Sequence, residues 1–320
     1  MSHRSKDFTE VLNATEKLLR EEMSIPNEFD VLFLQGGATG QFSAIPLNLK
    51  GDKESADYAI TGAWSSKSAD EATKYINVKH VFSSQKPFTT IPDESTWKRD
   101  ALAAYLYYCA NETVHGVEFS SAPETFRGVP LVADISSNFL SRPFSFENHG
   151  LVFGGAQKNL GTAGLTLTIV RRDLIGKQHP LTPAVFNYAE MAKHHSVYNT
   201  PSVYGIYLTK LVLEWIRDNG GAKAGHIYEI INISKGFYYS PVDPKYRSLM
   251  NIPFRIGGAA GNEELESKFV AGALQLGMIG LKGHRSVGGI RASLYNAITM
   301  EETMKLGDYM KDFFEKNADY

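Results

Sequence analysis

Residues 31–41 read Val-Leu-Phe-Leu-Gln-Gly-Gly-Ala-Thr-Gly-Gln. Four apolar residues in an unbroken run, with no alternation, describe a strand buried on both faces. The run stops at Gly36 and Gly37, and a helix is expected to follow the small residues. Strand, glycine turn and helix make the repeating unit of an α/β layer, and the pattern recurs along the chain. Strand-like runs occur at Tyr58–Thr61, Tyr105–Cys109, Pro130–Ala133, Leu151–Phe153 and Leu165–Val170, with helical or polar stretches such as Lys67–Tyr75 between several of them. Buried strands joined by crossovers predict a mostly parallel sheet.

Outward from this core, Phe8, Val11, Leu12, Thr15, Leu18 and Leu19 recur at helical spacing and predict an amphipathic first helix. A long helix is expected over Val203–Asp218, burying Leu208, Leu211, Val212 and Trp215, with a glycine stop at Asn219-Gly220-Gly221. Beyond it the order changes to α+β. Ile252–Ile256 and Gly289–Leu294 read as strands and Glu263–Leu276 as a helix, while Thr299 and Glu302 form a capping box that opens a last helix through Phe314. The expected division is a large domain over 1–218 and a small C-terminal α+β domain over 219–320. No repeat or low-complexity segment interrupts it.

The chain has 320 residues, 33 Lys+Arg and 35 Asp+Glu, for a formal charge of -2. This balance argues against non-specific nucleic-acid or acidic-membrane binding, which needs a basic surplus. One cysteine, Cys109, excludes a disulfide framework and any cysteine-built zinc or iron–sulfur site, and no metal is expected. No apolar run approaches a membrane span, and MSHRSKDFTE has no signal-peptide h-region. The expected compartment is the cytoplasm.

Several residues stand where chemistry is done. The loop 35–41 could cradle an anion on backbone N–H groups at a helix N-terminus, or be only a tight turn. It lacks the Walker Lys-Ser/Thr and the G-x-G-x-x-G pattern, which disfavours a nucleotide. Asp134 closes a strand at the edge where α/β sheets bind ligands, or caps the next turn. Lys158 ends another strand among small residues. Desolvation there would depress its pKa and suit it to Schiff-base chemistry, the alternative being a solvated surface charge. A phosphate-type loop, a strand-end Asp and a strand-end Lys 24 residues later are the parts that pyridoxal 5'-phosphate (PLP) requires. Trp64 could stack on a flat ring or pack in the core. Thr113 could donate to a cofactor oxygen; Asn111-Glu112-Thr113 is also formally a glycosylation sequon. The stretch 282–291 holds His284, Arg285 and Arg291 among glycines, either a basic surface turn or a site for carboxylate or phosphate.

Taken together, Ser2-His3-Arg4-Ser5, FLQGGATGQF (33–42), YCANETVHG (108–116), DISSNFLSRP (134–143), FGGAQKNLG (153–161), YNTP (198–201), MNIPFRIG (250–257) and LKGHRSVGGIRASLYNA (281–297) resemble phosphoserine aminotransferase, a class-V, fold-type-I, PLP-dependent transaminase family. The resemblance runs from Ser2 to Phe314. It implies that Lys158 forms the Schiff base with PLP and that Asp134 pairs with the pyridinium nitrogen. It also implies that Trp64 stacks on the ring, that Thr113 and Gln157 contact the cofactor, and that Ala38 and Thr39 hold its phosphate. Asn199 and Thr200 would reach the PLP phosphate of a neighbouring subunit in a homodimer with shared active sites. Arg291 would bind the α-carboxylate. His3, Arg4, His284 and Arg285 would recognise the distal phosphate or carboxylate. The implied substrates are O-phospho-L-serine, 3-phosphohydroxypyruvate, L-glutamate and 2-oxoglutarate, in L-serine biosynthesis.

Three features depart from the family pattern. Thr39 stands where bacterial members often carry arginine. The sequence also reads as lacking the Gly-Pro-containing segment that usually precedes the His-Arg pair, and as shortened after Gly221. A truncated, non-catalytic isoform that binds PLP without turnover is therefore the alternative expectation. A cysteine desulfurase is disfavoured, because its nucleophile would have to be Cys109, in a strand expected to be buried.

Overall fold

The structure is a computed structural model that describes residues 1–84, 86–219 and 223–318. Helix α1 (Lys6–Met23) starts where the Ser5 side chain accepts the Phe8 N–H at 3.2 Å, and ends at Ser24 in the left-handed region. Strand β1 (Phe29–Leu34) follows, then the turn at Gly36 (φ 91°) and Gly37 (φ 64°) into helix α2 (Gly37–Leu49). Only glycine takes such angles without strain, which is why the strand stops there.

The chain continues through β2 (Ser55–Ala59), α3 (Ala63–Ala72), β3 (Asn77–His80), β4 (Leu106–Cys109), a hairpin of β5 (Asn111–Glu112) and β6 (Val117–Glu118), β7 (Leu131–Asp134), β8 (His149–Gly155) and β9 (Thr166–Arg171). One seven-stranded sheet has the order β1-β9-β8-β7-β4-β2-β3. Strands β3, β2, β4, β7 and β8 pair in parallel, and β9 pairs antiparallel with both β8 and β1. Only β9 therefore runs against the others, which makes the sheet mostly parallel, as expected.

Alternation along β1 feeds two cores. Val31 and Phe33 face a layer with Phe8, Leu19, Ile206 and Leu213, from α1 and from α5 (Val203–Asn219). Leu32 and Leu34 face the opposite layer with Phe42, Ile45, Tyr58 and Tyr107. A third core lies among α6 (Ala224–Ile233), β10 (Tyr238–Tyr239), β11 (Asn251–Ile256), α7 (Glu263–Gln275), β12 (Ile290–Ser293) and α8 (Met300–Asn317). There Phe254, Phe269 and Phe313 pack edge to face around a three-stranded antiparallel sheet. A further short helix, α4 (Tyr188–Lys193), precedes α5. The Thr299/Glu302 capping box opens α8 as expected.

One expectation fails. Helix α5 does not bury the Leu208–Leu211–Val212–Trp215 face. Ile206, Leu213 and Ile216 point into the core instead, while Leu211 and Trp215 are 40% and 36% exposed. Periodicity locates an apolar stripe, but this helix carries apolar residues on both sides, so its pattern does not choose a face. Tyr58–Thr61 also shifts: the strand is Ser55–Ala59, and Trp64 already lies in the first turn of α3. The expected stop at Gly220-Gly221 and the shortening after Gly221 lie outside the described residues. Among the described residues, no helix is long and apolar enough to cross a membrane.

Candidate active site

Because β2, β4, β7 and β8 run in parallel, their C-terminal ends meet on one edge of the sheet. Asp134 closes β7 level with Cys109 of β4 and Phe153 of β8. It is 4% exposed, and its Oδ1 accepts the Ser136 N–H at 2.9 Å and the Ser136 hydroxyl at 2.6 Å. Burial raises its pKa, opposed by the Ser136 bonds and by the charge of Lys158. The Gly155 N–H donates to the Ser136 hydroxyl oxygen at 3.1 Å, which ties β8 to the same carboxylate.

Lys158 follows β8. Its Nζ donates to Thr113 Oγ1 at 2.6 Å and stands 5.4 Å from the centre of the Trp64 ring. Burial lowers its pKa, and Asp134 gives the largest opposing contribution. Lys158 is half-buried, and three candidates, Lys158, Thr113 and Trp64, converge within reach of the Asp134 charge.

Glu112 explains how Trp64 is held. This buried carboxylate crosses from the β5–β6 hairpin to the start of α3. Its Oε2 accepts the Trp64 N–H at 3.0 Å, and its Oε1 accepts the Ser65 N–H at 2.8 Å and the Ser65 hydroxyl at 2.6 Å. It thus caps a helix N-terminus from outside the helix, with favourable charge for the helix dipole. Burial still pushes its pKa up against those bonds. A side chain at Gly62 would overlap this carboxyl group.

The C-terminal layer is fastened to the same edge. Arg291 on β12 donates from Nη1 to the Thr113 carbonyl oxygen at 3.3 Å. Asn111 Nδ2 reaches Ser137 Oγ and Asn251 Oδ1, each at 2.9 Å, and the Asn296 N–H donates to Asn159 Oδ1 at 3.0 Å. Among the remaining basic candidates, His284 Nδ1 lies 2.7 Å from Ser286 Oγ in a glycine-rich turn, and Arg285 is exposed.

Other expected residues form a second group or lie apart. Ala38 and Thr39 occupy the first turn of α2, and Asn199 and Thr200 are exposed beside it, where the Thr200 carbonyl oxygen accepts from Gln35 Nε2 at 2.7 Å. Gln157 is exposed, its side-chain amide lying over Gly155. His3 and Arg4 sit in the turn before α1 and, among the described residues, make no hydrogen bond to the Lys158 group. Cys109 is buried and its thiol is pushed up by burial, consistent with a packing role rather than a nucleophile.

Sequence reasoning missed Glu112, Ser136 and His115. Glu112 lay inside the quoted NET motif beside Thr113, but nothing in a linear pattern shows a carboxylate capping a helix that starts 49 residues earlier. His115, two residues after Thr113, is half-buried with Nδ1 buried and unpartnered.

A model of the Aminotransferase class-V family matches residues 1–306. A Caenorhabditis elegans protein named "Probable phosphoserine aminotransferase" is 62% identical over 323 residues, covering 98% of this chain and 87% of its own. The solved phosphoserine aminotransferase from Bacillus circulans subsp. alkalophilus superposes with a TM-score of 0.93 at 41% identity, over 99% of this chain and 89% of that one. A PLP-bound phosphoserine aminotransferase from Trichomonas vaginalis superposes with a TM-score of 0.92 at 38% identity, over 97% of this chain and 90% of that one. The α/β, fold-type-I architecture expected from sequence is the architecture these structures share with it. On sequence and fold together, the chain belongs to the class-V aminotransferases and, within them, to the phosphoserine aminotransferase family.

Proposed function

We propose that this chain is a PLP-dependent transaminase that moves an amino group between O-phospho-L-serine and 2-oxoglutarate, giving 3-phosphohydroxypyruvate and L-glutamate, reversibly, as a step of L-serine biosynthesis. The observation that carries the reading is the half-buried Lys158, bonded to Thr113 and facing the Trp64 ring, near the buried Asp134. The site fits a flat polar cofactor. Trp64 Nε1 and Arg291 Nε are buried with no hydrogen-bond partner among the described residues, which leaves each a donor for a polar guest. PLP, when bound, supplies an electron sink for the charge left behind when an amino acid loses its α-proton.

The protein's own groups do the rest. Burial favours the neutral form of Lys158 Nζ, which suits it to take the α-proton and return it. Asp134, held by Ser136, would hold the cofactor by its pyridine nitrogen and favour a proton there. Trp64, pinned by Glu112, offers a ring face, and Thr113 and Gln157 offer polar contacts. The first turn of α2, with Ala38 and Thr39, suits the cofactor phosphate, with Thr39 contributing a hydroxyl where many bacterial relatives would use a guanidinium. Arg291 binds the α-carboxylate. His3, Arg4, His284 and Arg285 meet the distal anion, so an apolar-tailed amino acid would leave them unpaired.

The same reading includes a homodimer in which Asn199 and Thr200 serve the partner's cofactor phosphate. The exposure of both residues, and of Tyr204, Tyr207 and Leu211 along α5, supports it. It includes a domain boundary at 218/219, supported by the separate third core after that point, and a cytoplasmic location, supported by a single buried cysteine. The test is spectroscopic. Purified chain mixed with PLP should acquire a visible absorption band that Lys158→Ala lacks. Phosphoserine, but not alanine, should convert that band to the spectrum of the pyridoxamine form. A band that phosphoserine leaves untouched would overturn the enzyme reading.

A further inference from the structure

On the strength of the proposed function above, we infer that His115 is a specificity-determining substrate contact: an additional hydrogen-bond donor that favours a distal phosphate over a distal carboxylate. The β5–β6 hairpin places it. Its turn carries Thr113, which bonds Lys158 Nζ through its hydroxyl and Arg291 through its carbonyl, and His115 follows two positions on in the same turn, near enough to His284 to feel its charge. The backbone there is anchored, because the Ser248 N–H donates to the Gly116 carbonyl oxygen at 2.8 Å and a side chain at Gly116 would strike Pro253.

The imidazole is held but not satisfied. Its ring meets Phe88 edge to face at 4.9 Å, which orients it, while Nδ1 is buried without a hydrogen-bond partner. A buried ring nitrogen is ordinarily paired, and one beside a cationic pocket is an available partner for an anionic guest or a water bound with it. Burial, helped by the nearby charges of His284 and Lys86, lowers its pKa to about 4. The ring is accordingly neutral near pH 7 and offers one N–H rather than a charge.

Its effect on selectivity follows from the two substrates. Phosphoserine and glutamate would share one pocket, but a phosphate presents more acceptor oxygens than a carboxylate and uses a further donor that a carboxylate leaves idle. The cluster of His3, Arg4, His284 and Arg285 supplies charge for both anions, whereas His115 discriminates between them.

The experiment uses the PLP-loaded enzyme and compares His115→Phe, which keeps the ring packed on Phe88, with His115→Gln, which keeps a donor. Steady-state kinetics are measured for both amino-acid substrates. KM for phosphoserine should rise about tenfold or more in His115→Phe, the loss of one hydrogen bond to a charged group, with a much smaller change for glutamate. His115→Gln should recover part of the difference. The visible cofactor band should persist in both variants, which serves as the folding control. Equal changes for the two substrates, or none, would overturn the role of His115. If the unmodified enzyme does not use phosphoserine at all, the functional reading fails instead. If His115→Phe loses the band, His115→Leu, which also lacks a donor, takes its place in the same comparison: a selective rise in KM for phosphoserine supports the role, and an unchanged phosphoserine-to-glutamate ratio refutes it.

Discussion

Replacing Glu112 by alanine should loosen the fold and the cofactor wall together. The substitution removes the acceptors for the Trp64 N–H, the Ser65 N–H and the Ser65 hydroxyl, all at the buried start of α3. A hydrogen bond to a charged group contributes about 1.5–3 kcal/mol, and the three share one carboxylate, so they do not add fully. Part of the loss is offset because the carboxylate is itself costly to bury, as its raised pKa shows. The balance is a destabilisation of about 3 kcal/mol, or about 4–5 °C in Tm for a chain of this size. Thermal scans at one fixed rate, with the cofactor loaded, measure it. The Glu112→Gln variant sharpens the test. Both oxygens accept a backbone N–H, so an amide must turn its NH2 toward a donor whichever way it is flipped, and about half the loss should remain. Trp64 would shift in both variants and weaken cofactor retention. A fall below about 2 °C for Glu112→Ala, with the cofactor held normally, would refute the claim that Glu112 organises this wall.

Other substitutions probe separate parts. Arg291→Ala should keep the visible cofactor band but lose conversion by phosphoserine, as measured by stopped absorbance assays; an unaffected rate would remove Arg291 from the substrate site. His149 is buried against Tyr108, with Nε2 2.8 Å from the phenol oxygen, and burial lowers its pKa to about 4. Between its ordinary value near 6.5 and about 4, the unfolded chain binds a proton that the folded chain does not. Stability should therefore fall as pH drops through that window, by at most about 3 kcal/mol from this residue, and His149→Phe should flatten the slope in urea titrations. Cys109 should resist thiol reagents until the protein is denatured; rapid labelling of the native enzyme would contradict its burial.

Much of the sheet edge was legible in sequence because parallel strands end together. Asp134 and Lys158 each closed an apolar run, and sharing an edge followed from the topology rather than from either residue. The capping box at Thr299 and Glu302 was equally plain, being a local device four residues long. What stayed hidden depends on distant packing. Helix α5 carries apolar residues on two sides, and only its fit against α1 selects Ile206 and Leu213 for the core. Strand β9 reads as one more buried strand, and nothing local records that it runs against its neighbours. Glu112 and His115 sit on a hairpin of two-residue strands, too short for a periodic signal. Their roles come from α3 and Phe88, which reach them from other parts of the chain.

Glutamate production measures the central claim most directly. Cofactor-loaded protein is given O-phospho-L-serine and 2-oxoglutarate, and released L-glutamate is followed with time, with L-alanine in place of phosphoserine as the control. Sustained glutamate release with phosphoserine, little with alanine, and none from Lys158→Ala is the result expected of a phosphoserine transaminase. Protein that carries its full visible band and yet releases no glutamate from phosphoserine would contradict it.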